Sequence, residues 1–130
     1  MIGLDTNVLV RFLVQDDADQ ARRAAACIAR LTEAEPGYVA REVVLELVWV
    51  LSKAYQYNRA QITSALQGLM AAVEIEVEDS AVVGAVVELY ANRGYDFADL
   101  MIRQVGLVRG AQQMVTFDEQ AAQLDGVTLL

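Results

Sequence analysis

The chain has 130 residues, 55% hydrophobic and 22% charged, with a mean hydropathy of +0.30, which is one domain's length with ample material for a single core. Eighteen acidic against ten basic side chains leave a formal charge of −8 and a pI near 4.4, which argues against simple electrostatic adhesion to nucleic acid or anionic lipid. There is no histidine, which excludes Ser-His-Asp and Cys-His catalysis, a two-histidine ribonuclease mechanism and a His-ligated zinc site.

Met1 to Leu4 reads as a short apolar strand, and after Asp5-Thr6-Asn7 the residues Val8, Leu9, Phe12 and Leu13 recur at helical spacing. Asp16 and Asp17 offer an N-cap for a helix running to about Thr32, with Ala21, Ala25, Ile28 and Leu31 on one face. The single Cys27 lies in that Ala-rich stretch, forbids an internal disulfide and reads as a small packing residue. Pro36-Gly37 breaks the chain, Tyr38 to Ala40 forms a brief strand, and helices follow over Glu42 to Tyr55 and Asn58 to Ala72. Val73, Ile75 and Val77 alternate with Glu74, Glu76 and Glu78 as a half-exposed strand. Asp79-Ser80 starts a helix that ends at Gly94, and Asp96 opens another that Gly110 closes. Met114-Val115 is a strand, a helical turn follows Asp118, and Val127 to Leu130 is the last strand. Strands alternating with helices predict an α/β fold with a mainly parallel sheet. No apolar run approaches the roughly 20 residues of a membrane span, and Met1 leads into Ile2, Gly3 and Leu4 without a basic leader. A single domain over 1–130, in a reducing cytoplasm and without a membrane anchor, is the expectation.

Charge is unevenly spread, with eight acids and seven bases in residues 1 to 65 and ten acids and three bases in 66 to 130. A polyanion would therefore meet Arg11, Arg22, Arg23 or Arg41 in the first half, where the bland reading is solvated helix faces.

Ligands of parallel sheets bind beyond the carboxyl ends of the strands, so the informative acids are those directly after strands. Asp5 follows Met1 to Leu4, and Asp118 follows Gln113 to Phe117; either could equally be the N-cap of the next helix. Glu46 is surrounded by Val43, Val44, Leu45, Leu47, Val48, Trp49, Val50 and Leu51. Burying its carboxylate unpaired would cost several kcal/mol, which points to a cation or to a solvated cleft. Glu42, one turn earlier on the same face, competes for this role. Asp96 and Asp99 stand at i, i+3 at a helix start, in N-cap and N3 positions. Several carboxylates converging on one site repel one another unless a cation sits among them. Oxygen donors without His or Cys select Mg²⁺ or Mn²⁺, and metal-assisted phosphodiester hydrolysis needs no histidine.

These residues resemble a known family, the PIN-domain ribonucleases, and within it the VapC-type toxins of toxin-antitoxin pairs. The matching segments are Leu4-Asp5-Thr6-Asn7-Val8-Leu9, Glu46 within Leu45 to Leu51, Asp96-Phe97-Ala98-Asp99, and Val115-Thr116-Phe117-Asp118, in the family's order across almost the whole chain. The resemblance implies a three-layer α/β/α fold and an acidic pocket of Asp5, Glu46, Asp99 and Asp118 that holds Mg²⁺ or Mn²⁺. It implies that Asn7 and Thr116 support the pocket through hydrogen bonds, with Asp96 at the rim or capping. It also implies an RNA substrate, a homodimer and a cognate VapB-like antitoxin whose C-terminal segment lies beside the site.

Two other acidic Mg²⁺ folds fit poorly. A receiver domain would want a second acid beside Asp5, a phosphoacceptor Asp after a central strand and a Lys after a late strand; here position 6 is Thr, the middle strand runs Glu74-Ile75-Glu76-Val77, and the sole Lys53 lies in a helix. A haloacid-dehalogenase-like phosphatase would want Asp where this chain has Asn7. A PIN-like module that binds RNA or a partner without cutting is the remaining alternative, and the presence of all four acids weighs against it.

Overall fold

A computed structural model describes the whole chain, residues 1–130. The chain divides into two compact units, Met1–Ser80 and Ala81–Leu130.

In the first unit the order is β1 (Ile2–Gly3), α1 (Thr6–Val14), α2 (Ala18–Ala29), β2 (Gly37–Val39), α3 (Arg41–Lys53), α4 (Arg59–Ala71) and β3 (Ile75–Val77). The strands form one parallel sheet in the order β1-β2-β3, with Ile2 opposite Gly37 and Gly37 opposite Ile75. The crossovers that parallel strands require are supplied by the helix pairs between them. The helices start where the side chains dictate. Asp5, Asp17 and Asn58 accept backbone N–H groups at the N-termini of α1, α2 and α4, and Asn58 with Gln61 forms a complete capping box. The face of α2 turned inward carries Ala21, Ala24 and Ile28, and its small residues allow close packing on α1. Leu4, Leu9, Val39, Val44, Leu47, Leu51, Ile62 and Leu66 are buried.

β2 needs glycine at its first residue. A Cβ on Gly37 would stand 2.7 Å from Leu31 Cδ1 and 2.8 Å from Leu4 Cδ1, inside the van der Waals limit of two core side chains.

α3 begins without a side-chain cap of its own, because its N-cap is Ala40. The carboxylate of Glu78, just past β3, accepts the Arg41 N–H at 2.9 Å, and the Arg41 guanidinium pairs with Asp79. The Arg41 N–H, with lesser help from the Tyr38 hydroxyl and the Arg41 charge, holds the Glu78 carboxyl below its ordinary range against the opposing effect of desolvation. The first turn of α3 is thus tied to the exit of the neighbouring strand.

The second unit carries most of α5 (Ser80–Asn92), then α6 (Phe97–Val108), β4 (Met114–Thr116), a 3₁₀ turn at Ala121–Gln123 and β5 (Val127–Leu129). β4 and β5 pair in parallel, with Val115 opposite Thr128. Tyr90 of α5 and Phe97 of α6 meet edge to face, 5.3 Å between ring centres at 80°, a favoured aromatic geometry. The alternation of helices and wholly parallel strands is the α/β class expected of the sequence, with strands of only two or three residues. Val73, expected in the third strand, lies before it and is exposed. No helix is long and apolar enough to cross a membrane.

Candidate active site

Asp5 stands in the first unit, where β1 gives way to α1. Its Oδ1 accepts the Thr6 N–H at 2.8 Å, which leaves the other carboxylate oxygen without a protein donor to direct it. Thr6 beside it is buried, and its hydroxyl has no hydrogen-bond partner. Asn7 lines a cavity of about 500 Å³ between α1 and α2, together with Arg11, Gln20, Arg23 and Cys27. Both cations there are engaged: Arg11 donates to Asp16, Gln20 and Tyr55, and Arg23 pairs with Asp19.

Glu46 lies on the solvent side of α3. Glu42, Glu46, Trp49 and Lys53 are all exposed, while Val44, Leu47, Val48 and Leu51 are buried. The apolar run expected to surround Glu46 therefore covers only the inner arc, and its carboxylate is solvated without a paired cation. Glu42 shares that stripe, so exposure alone does not separate the two.

The second unit brings three candidate acids into mutual influence. Asp96 caps α6, accepting the Asp99 N–H at 3.2 Å, and Asp99 takes the N3 position as the spacing requires. Asp118 follows β4 and accepts the N–H groups of Gln120 at 2.8 Å and Ala121 at 3.1 Å. Thr116 Oγ1 accepts the Asp118 N–H at 3.0 Å and so fixes the backbone of that carboxylate. Asp99 is raised above its ordinary range, first by partial burial, then by the negative charges of Asp96 and Asp118.

In neither unit do three such side chains stand together as a ready metal cluster. The donor set nevertheless fits a hard divalent cation. All its atoms are carboxylate oxygens, and Asp99 carries the repulsion of two neighbouring carboxylates that a cation would relieve. Sequence reasoning passed over two features: the orphaned hydroxyl of Thr6, and the outward stripe that joins Trp49 and Lys53 to Glu46. The second was legible in the spacing 42, 46, 49, 53.

Comparison with known proteins settles the family, because the model of the PIN domain matches residues 2–127. The chain belongs to the PIN-domain family. A VapC ribonuclease of Aquifex aeolicus (strain VF5) is 25% identical over 122 residues, which cover 93% of this chain and 90% of that protein. The match extends through both units of this PIN domain and includes all four candidate acids.

Proposed function

We propose that this PIN-domain protein is a metal-dependent endoribonuclease and the toxin of a toxin-antitoxin pair, with Asp5, Glu46, Asp99 and Asp118 as its acidic pocket. The observation that carries the reading is the state of Asp99, a carboxylate destabilised by partial burial and then by Asp96 and Asp118, in a chain without histidine. The likeness to a VapC ribonuclease over nearly the full length supports the same reading.

In this reading Asp5, Asp99, Asp118 and Glu46 hold Mg²⁺ or Mn²⁺, which when bound supplies Lewis-acid activation of water and neutralises charge on the phosphoryl oxygens. In the same reading Asp99 would accept the proton of the attacking water at a carboxylate oxygen not taken by the metal. Thr116 keeps Asp118 in place through its backbone N–H. Asn7, the next residue but one after Asp5, supports that carboxylate and substrate water. Asp96 orients Asp99 through the helix cap. The reaction is hydrolysis: water oxygen bonds to phosphorus, the bond to one ribose oxygen breaks, and that oxygen leaves with a proton. The partners in this reading are RNA, a VapB-like antitoxin and a second copy in a homodimer, in the cytoplasm.

The test is the set of amide variants Asp5→Asn, Glu46→Gln, Asp99→Asn and Asp118→Asn assayed on a panel of RNAs. Each is expected to lower cleavage at least about 100-fold while the fold persists by circular dichroism, as for loss of a charge-stabilising group. Cleavage unchanged in Asp5→Asn and Asp99→Asn would contradict the assignment. For the toxin role, expression alone should arrest growth and co-expression of a small neighbouring reading frame should relieve it.

A further inference from the structure

The outer stripe of α3 carries three different chemistries in line. Glu46, Trp49 and Lys53 succeed one another at spacings of three and four residues, which on a helix puts them on one side, about 4.5 and 6 Å apart along the axis. Trp49 is 63% exposed. That is a costly position for the largest apolar side chain, and the ring has no aromatic partner, since the ring contact of the chain is that of Tyr90 with Phe97. Lys53 is exposed and takes no part in the ion pairs, which engage Arg11, Arg22, Arg23, Arg41 and the N-terminus.

We propose that this stripe is a track for single-stranded RNA, in which an unpaired nucleobase stacks on the Trp49 indole and the next phosphate is met by Lys53. The inference rests on the nuclease reading, because Glu46 is what relates the track to a scissile phosphate. An aromatic face beside a cation, spaced by about one nucleotide step, is the arrangement with which proteins grip single strands without reading sequence. A paired base cannot present its face, so the track selects unpaired regions. In a chain of net charge −8, stacking supplies affinity that Coulomb attraction does not.

Trp49 is the sole tryptophan, so its fluorescence reports this position alone. The full chain carrying Asp99→Asn is titrated with a short oligouridylate, with an abasic ribose-phosphate oligomer of the same length, and with duplex RNA, while anisotropy of the labelled strand follows binding. The expected result is quenching by oligouridylate and little by the other two. Trp49→Ala should weaken oligouridylate binding about 5- to 100-fold, with recovery in Trp49→Tyr, and Lys53→Ala should lower the salt slope of log Kd by about one or less. Equal quenching by the abasic oligomer, binding without quenching, or absence of binding overturns the track. So does a fluorescence change that follows protein concentration or a co-expressed protein partner instead of RNA, because the stripe is then a protein interface. Cleavage by the wild type without quenching leaves the nuclease and removes the track; quenching without cleavage does the reverse.

Discussion

Asp99 sits where helix dipole and neighbours pull in opposite directions. The first turn of α6 favours an ionised carboxylate, yet burial and the charges of Asp96 and Asp118 win, and the group is raised. A carboxyl whose folded pKa lies above its unfolded value destabilises the fold at pH values above both and ceases to do so in acid. Asp99→Asn should therefore unfold at a higher temperature than wild type at pH 7, with the difference shrinking as pH falls through the carboxylate range, while cleavage is lost. Thermal melts across pH check the sign, and a variant less stable than wild type at pH 7 would contradict it. Thr63 of α4 is a simpler case: its buried hydroxyl has no partner, so Thr63→Val should stabilise by about 1 kcal/mol, roughly 4 °C in Tm. Neither effect was legible from sequence, because a Thr or Asp in a helix says nothing of what its oxygen meets.

At the scale of elements, local signals were rich. Asp17, Asn58 and Asp96 announced three helix starts through their side-chain chemistry, and the structure places an N-cap at each. The caps of α1 and α3 differ in legibility. Asp5 could be read either as cap or as ligand; one of its oxygens caps α1, and the other is left without a protein donor. The cap of α3 could not be read at all, since Ala40 has no donor or acceptor side chain and the carboxylate comes from Glu78, 37 positions along. Because Glu78 is held below its ordinary range, this tie contributes stability above the unfolded value and loses it as pH falls through the folded one. Glu78→Gln should flatten the acid limb of the stability profile measured by thermal melts. Gly37 is likewise a long-range requirement: Gly37→Ala forces Leu4 or Leu31 aside and should cost about 1–3 kcal/mol by denaturant unfolding.

Across the whole molecule, the excess of acid opposes RNA binding, and its distribution resolves the conflict. Residues 1 to 65 are almost balanced, eight acids to seven bases, and the excess lies in the remainder. Family membership followed from four short acidic motifs in order: Asp5, Asp99 and Asp118 stand at element boundaries that the pattern also marked, and Glu46 stands within α3. What the sequence could not convey is that no cluster of three carboxylates is already formed. If the proposed site holds metal, Mg²⁺ or Mn²⁺ at about 100 times its Kd should stabilise the wild type by about 2.7 kcal/mol and Asp99→Asn by much less, as read by thermal melts.

If carboxylate-held metal cuts RNA, supplying or withdrawing the metal alone switches cleavage on and off. Purified protein incubated with a labelled unstructured RNA in EDTA, then supplied with Mn²⁺ or Mg²⁺, tests it in one tube. Intact RNA in EDTA and cleavage on adding back the metal are expected. Equal cleavage in both would contradict it.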